Sequence, residues 1–146
     1  MKTFLTLLVL AFSAVVAPRP CFAMMEIMSV SKEKAKEMGI EIRAKANGPN
    51  EAWIELEFKA VGELKRFSRE NFSYVSLEIS EGGKLVVGYA ALQETRTSSG
   101  GILVRFLASR AHLDKVNLMI VVGAGELGGG GYELRVKDFV ELEKLR

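Results

Sequence analysis

The chain has 146 residues, of which 49% are hydrophobic and 26% are charged, and it contains one Cys and one His. This length suits one domain of ordinary size. A single Cys and a single His exclude a disulfide scaffold and a cluster of Cys and His metal ligands. The apolar fraction and the small net charge exclude a wholly disordered chain.

The first 23 residues have the pattern of a secretory signal peptide. Lys2 gives a positive start, residues 4–17 form an uncharged apolar run, and Cys21 and Ala23 are small residues at the two positions that a signal peptidase recognises. The run has 14 residues, whereas a spanning helix needs about 20. We therefore expect cleavage after Ala23, a secreted or periplasmic location and no membrane span after cleavage, with an uncleaved anchor as the alternative.

Cleavage would change the charge and the redox chemistry of the chain. It removes Lys2 and Arg19, which lowers the basic count from 20 to 18, equal to the acidic count of 18. A balanced chain has no electrostatic reason to bind nucleic acid. Cys21 is also removed, so we expect the apolar core alone to hold the remaining domain together.

A short strand and a short helix are the first elements predicted after the signal peptide. The strand covers residues 26–30. Ser31 is a suitable helix N-cap, residues 32–38 contain good helix formers, and Gly39 stands where a helix commonly ends.

From residue 40 onward, apolar and charged residues mostly alternate with a period of two, which is typical of half-buried strands. Residues 85–92 are apolar on both faces, so we expect them to form a more central strand, and residues 116–122 form the most apolar strand. The polar residues 93–101 and the glycine-rich residues 123–131 are predicted to be loops. The remaining strands are predicted at residues 40–46, 54–60, 74–79, 102–106 and 132–136.

Together these elements predict an all-β domain over residues 24–146. We expect an antiparallel two-sheet β-sandwich of about seven to eight strands with one short N-terminal helix, and a small β-barrel is the alternative. The architecture resembles immunoglobulin-like and fibronectin-like domains in strand number and length only. The Cys…Trp…Cys pattern of true immunoglobulin domains is missing from the cleaved chain.

The glycine-rich segment matches a nucleotide-binding motif out of context. Residues 123–128 read G-x-G-x-x-G, with Gly125 and Gly128 as the second and third glycines. Three more glycines follow where the motif requires a helix to begin, and the next segment alternates as a strand. We therefore expect no cofactor. The loop is either a linker between strands or, through its many exposed amides, part of a binding surface.

Trp53 is the residue most typical of a binding surface. The alternation places it on the outer face of its strand with Glu55 and Glu57, and an exposed Trp among charges is a common anchor for a sugar ring or a protein partner. Burial under a loop is the alternative. Glu55 and Glu57 lie about 6–7 Å apart along one face, a spacing that suits a glycosidase pair. The mixed charges of this strand favour a solvated sheet surface instead.

Other chemistry-bearing residues lack the context that catalysis requires. His112 is the only histidine, with Ser109 and Asp114 close by in sequence, but no nucleophile-elbow motif occurs. We expect His112 to be a solvated residue in a connection between strands. Asn71 begins an N-glycosylation pattern.

We predict a non-enzymatic binding or protein-interaction module for an unknown protein or carbohydrate ligand, with no catalytic or metal site. Function on such a fold is carried by loops and exposed faces. A small secreted hydrolase and a structural cell-envelope component that assembles through sheet edges are the alternatives. The candidate binding residues are Trp53, Glu55, Glu57, Gly125 and Gly128, together with the polar loop at residues 93–101.

Overall fold

The computed structural model describes residues 26–68, 70, 72–82, 84–123 and 129–145. The predicted signal peptide, Asn71, Gly125 and Gly128 lie outside these residues. Within the described part, no helix has the length and apolar character needed to cross a membrane.

The described chain contains nine strands and a few short helices. The helices are α1 (Lys32–Glu37) and α2 (Val136–Phe139), with 3-10 helices at Gly62–Arg66, Arg110–His112 and Leu142–Leu145. The strands are β1 (Glu26–Ser29), β2 (Ile40–Asn47), β3 (Glu51–Lys59), β4 (Tyr74–Glu81), β5 (Lys84–Tyr89), β6 (Ala91–Arg96), β7 (Gly101–Ser109), β8 (Asn117–Val122) and β9 (Gly130–Arg135).

The strands form two sheets, in the order β1-β9-β8-β4-β5 and β2-β3-β7-β6. The second order, and the run β9-β8-β4-β5 in the first, correspond to strands A-B-E-D and G-F-C-C′ of an immunoglobulin-like sandwich. β1 pairs in parallel with β9, and all other described pairs are antiparallel. The predicted two-sheet sandwich is therefore confirmed, and the described sheets do not close into a barrel.

The core lies between the facing sides of the two sheets. Alternate residues of β3 and β7 point inward and are buried, as the period-two pattern predicts. The fully buried Phe58 ring meets Phe67 edge to face, with 5.0 Å between ring centroids. Each such large side chain contributes about 1.5–3 kcal/mol by leaving water. The largest fully buried side chains include Ile54, Leu56, Phe58, Leu77, Phe106, Leu118, Ile120 and Leu134.

The predicted helix is confirmed at α1, and its ends are the predicted ones. The Ser31 hydroxyl accepts a hydrogen bond from the backbone N–H of Lys34 at 3.2 Å. Gly39 follows the helix with φ +70°, a conformation that favours glycine. A helix of six residues is marginal alone, so these caps and the complete burial of Ala35 hold it on the sandwich.

The prediction of one central strand at residues 85–92 is wrong. The segment forms parts of two strands: β5 lies at the edge of one sheet and β6 at the edge of the other, and the chain crosses between the sheets at Ala90. Leu85, Val86 and Leu92 are 64%, 55% and 60% exposed. The apolar content of the segment predicted burial on both faces. β5 and β6 are edge strands, however, and an edge strand buries only part of its side chains.

The prediction of a loop at residues 93–101 is wrong for its first half. Residues 93–96 belong to β6 and pair with β7. Polar side chains are compatible with an edge strand because water reaches both of its faces. The turn itself is shorter and is closed by Thr97, whose hydroxyl accepts from the Gly101 N–H at 2.9 Å. This second edge strand raises the number of strands above the predicted eight.

Candidate functional site

Trp53 lies on the outer face of the four-stranded sheet. In β3 it is half-buried, whereas its chain neighbours Ala52 and Ile54 point inward and are fully buried. Its register partners are Lys45 on β2 and Leu107 on β7. The direction predicted for Trp53 is therefore correct, and the indole presents apolar surface between an ammonium group and an aliphatic side chain.

A row of polar side chains runs across all four strands beside Trp53. The Arg105 Nε donates to Glu55 Oε1 at 2.7 Å, and its Nη1 donates to Gln93 Oε1 at 2.9 Å. Arg43 stands on the other side of Glu55 as its register partner on β2. The antiparallel pairing thus places two guanidiniums, a carboxylate and an amide in one line.

Arg43 forms ion pairs with two carboxylates. Its Nη2 donates to Glu41 at 2.5 Å and to Glu57 at 3.1 Å. The hydrogen bond to Glu41, with the negative charges of Glu41 and Glu57, raises the pKa of Arg43 above its ordinary value. Arg43 is therefore a fixed cation that is already paired within the sheet.

An open cleft of about 660 Å³ lies over Trp53 and the polar row. This volume falls within the range of about 300–1,000 Å³ that is typical of small-ligand sites. The Lys45 side chain, which lines it, forms no ion pair or hydrogen bond with another described residue. The lining residues are Arg43, Ala44, Lys45, Trp53, Glu55, Gln93 and Arg105.

A second cleft of about 410 Å³ lies further along β2 and β3. Arg43 borders both clefts, so they share one wall. The far end forms where the backbone N–H of Lys59 donates to the Gly39 carbonyl at 3.2 Å. This cleft is lined by Lys36, Gly39, Ile40, Glu41, Arg43, Glu57, Lys59 and Ser99.

Glu55 and Glu57 lie on one face of β3, as predicted. Each is held by a different arginine, and their side chains are 27% and 28% exposed. Both carboxylates are engaged in cross-strand ion pairs, which is the arrangement of a mixed-charge sheet surface.

His112 lies in the connection between β7 and β8, as predicted, but the expectation that it is solvated is wrong. It is half-buried, and its Nδ1 lies 2.6 Å from the Tyr89 hydroxyl. The cause is the 3-10 helix Arg110–His112, which brings the imidazole against β5. Among the described contacts, His112 bonds to neither Ser109 nor Asp114.

The glycine loop and Trp53 belong to different sheets. Gly123 and Gly129, the described residues at the base of the loop, adjoin β8 and β9 of the five-stranded sheet, whereas Trp53 belongs to the four-stranded one. Gly125 and Gly128 lie outside the described residues. The described parts of the two candidates therefore do not form one site.

Lys45 and Arg105 were missed as candidate site residues. Arg105 carries a visible signal, because it is the only charged residue between Ile102 and Ala108. The turn at residues 47–50 would set the register that places Lys45 beside Trp53. Gln93 belongs to the candidate binding segment 93–101, but its place beside Arg105 depends on β6 being a strand.

Comparison of the chain with known protein families, with curated proteins and with solved structures found no match. Among the described residues, no three His, Cys, Asp or Glu side chains lie close enough to share a metal ion. The Trp53 face combines an aromatic surface with fixed polar groups in one cleft, which are the features of a small-ligand site.

Proposed function

We propose that this chain is a secreted or periplasmic binding module that acts without catalysis and binds a carbohydrate on the outer face of its four-stranded sheet. The observation that carries the proposal is the half-buried Trp53 in a cleft lined by polar groups from all four strands. The signal-peptide pattern of residues 1–23 supports the location.

The side chains around Trp53 suit the two kinds of surface of a sugar. An indole offers a flat apolar area against which the C–H face of a pyranose ring can pack. The adjacent row supplies hydrogen-bonding groups for hydroxyls, namely the Glu55 carboxylate, the Arg105 guanidinium and the Gln93 amide. Ligand sites combine apolar contact with a few fixed polar groups in this way. The ion pair holds two of those groups in place before a ligand arrives.

The size and charge of the surface favour a saccharide over a folded protein. A stable protein interface covers about 800 Å² on each partner, and its centre is depleted of charged residues. Here charged side chains surround the single indole, and the apolar contact is confined to a cleft of about 660 Å³. A narrow ligand that fits into the cleft uses this surface better than a broad partner.

Trp53 is the only tryptophan, so its fluorescence reports ligand binding at this site directly. We expect an oligosaccharide panel to include ligands that shift the emission and protect it from acrylamide. Calorimetry should then show that Trp53→Ala weakens binding at least about tenfold, while Trp53→Phe retains part of it.

Tyr74→Ala is the matched control because Tyr74 is a 49%-exposed aromatic residue on the five-stranded sheet. It should bind like the unchanged protein. Full affinity in Trp53→Ala would place the ligand elsewhere and contradict the proposal. Failure of every oligosaccharide to bind would contradict it as well.

A second candidate function is self-assembly through the edge of the five-stranded sheet. β5 has no strand partner on its outer side among the described strands, and Leu85 and Val86 there are exposed. Lys84 is the only charged residue of β5. Antiparallel pairing of β5 with a second copy would put the two lysines at opposite ends, which avoids repulsion of like charges.

Sedimentation over a range of concentrations tests this assembly. We expect a dimer that Val86→Lys converts to a monomer, because natural edges use lysine to block pairing. Val61→Lys is the control, since Val61 is 47% exposed but lies outside the strands. A monomer at all concentrations would contradict the second candidate and leave the first untouched.

A further inference from the structure

We infer that the ligand is an acidic oligosaccharide, a chain of uronate-type sugar units, and that it runs from the Trp53 cleft to the cleft beside Lys59. This inference rests on the proposed carbohydrate site and adds the charge and length of its ligand. It is carried by three lysine side chains that lack a partner among the described residues and by two clefts that meet at Arg43.

The arginine side chains of this face form ion pairs within the sheet, whereas its lysine side chains do not. Arg43 and Arg105 are both paired with glutamates. The lysines that line the clefts are Lys45 in the first and Lys36 and Lys59 in the second. All three are exposed, and none of their side-chain ammonium groups forms an ion pair or hydrogen bond with a described residue. They are therefore the groups available to anions.

The carboxylates of the same face are already engaged. Glu41 and Glu57 accept from Arg43, and Glu55 accepts from Arg105. Glu51, at the start of β3, accepts from the Asn47 side chain at 3.4 Å. The unpaired charge facing a ligand in the two clefts is thus positive, although the face as a whole has mixed charges.

The spacing of the lysines sets the length of the ligand. Lys45 stands level with Trp53, and Lys59 follows Trp53 by six residues on the same strand. The strand rise puts these two levels about 20 Å apart. One sugar ring cannot bridge that distance, whereas an oligomer lying along the two clefts passes Arg43 between them.

Neutral polar groups distinguish a saccharide from other polyanions. Gln93 lines the first cleft and Ser99 the second. Each already has one neutral partner, Thr95 and Thr97 respectively, but an amide and a hydroxyl keep further donors and lone pairs for the hydroxyls of a ligand. Trp53 adds a stacking surface for a ring. An acidic peptide of glutamate residues has no ring that could stack on it. The combination fits a ligand with rings, hydroxyls and carboxylates.

The test compares two forms of one oligomer by calorimetry, using protein expressed from the full chain. The probes are hexagalacturonate and the same hexamer with its carboxyl groups methyl-esterified, which removes the charge and keeps the rings. We expect the charged form to bind about tenfold or more tightly, and added salt to weaken only that form. Lys45→Gln and Lys59→Gln should each lower its affinity about two- to fivefold, a larger loss than either causes for the ester.

The outcomes separate this inference from the proposed function. If both forms bind equally, depend on Trp53 and ignore the lysine substitutions, the carbohydrate site stands and the acidic ligand is wrong. If neither form binds, the acidic ligand is wrong, and the oligosaccharide panel decides whether the carbohydrate site stands. Binding of poly-glutamate as tight as that of hexagalacturonate would show that the lysines recognise charge alone, and would overturn the saccharide assignment.

Discussion

Arg105 and Glu55 are joined by a hydrogen bond of 2.7 Å between Nε and Oε1, at the point where β7 and β3 pair in register. The same guanidinium reaches Gln93 on the next strand, so one side chain connects three strands. The Arg105 and Glu55 side chains are 37% and 27% exposed, and water therefore screens their attraction. The pair shapes the floor of the Trp53 cleft more than it stabilises the fold.

A double-mutant cycle on this pair should give a small coupling energy. With Glu55→Gln and Arg105→Gln, we expect the coupling in the free energy of urea unfolding to be at most about 1 kcal/mol. The more exposed helix pair Lys34–Glu37 serves as the comparison and should give about 0.5 kcal/mol or less. A coupling of 3 kcal/mol or more is typical of a desolvated pair and would contradict the exposed geometry.

Substitution by alanine should lower the stability of the fold far more at Phe58 than at Phe72. Phe58 is fully buried against Phe67, whereas Phe72 is 68% exposed. We expect Phe58→Ala to lower the free energy of unfolding by about 3–5 kcal/mol because it leaves a cavity. Phe72→Ala should change it by about 0.5 kcal/mol or less. Similar losses at the two positions would show that the core has been assigned wrongly.

Gly129 should be required as glycine, and Gly130 should not. A Cβ added at Gly129 would lie 2.5 Å from the carbonyl oxygen of Gly123, whereas one added at Gly130 meets nothing within 4 Å. Backbone atoms cannot yield as a flexible side chain can, so we expect Gly129→Ala to cost about 1–3 kcal/mol in unfolding free energy. Gly130→Ala is the matched control and should cost less than about 0.5 kcal/mol. Equal effects would contradict the close approach at the base of the loop.

The fold could be predicted from the sequence because its main signals are local. Alternation in β3 fixes which side chains face the core, and the Ser31 cap with Gly39 fixes the limits of α1. Trp53 could be placed on the outer face for the same reason. These features depend on neighbours along the chain, whose spacing is visible in the sequence.

The edges and the rest of the site could not be predicted because they depend on pairing between distant segments. No local sequence pattern indicates that the chain leaves one sheet at Ala90 and enters the other. Unless this crossing is known, the polar sequence of β6 does not indicate a strand, and Gln93 is assigned to a loop. The partnership of Arg105 with Glu55 spans 50 residues, so only the register of β3 and β7 reveals it.

Glu33 should titrate below the ordinary range of a glutamate. Hydrogen bonds from its own backbone N–H and from the Ser31 hydroxyl, with the charge of Lys32, lower the pKa of Glu33 in the folded chain. A folded pKa below the unfolded one means that the carboxylate stabilises the fold above the unfolded pKa. This contribution is lost as the pH falls through the folded pKa.

NMR titration of the Glu33 side chain checks the direction of the shift, and unfolding as a function of pH checks its consequence. Glu33→Gln should be less stable than the unchanged protein at neutral pH, and the difference should disappear in acid. Ser31→Ala removes one of the two hydrogen bonds, so it should move the Glu33 midpoint upward and cost about 1 kcal/mol as a lost cap. A midpoint at or above the ordinary value, or a difference between Glu33→Gln and the unchanged protein that persists in acid, would contradict this account of the start of α1.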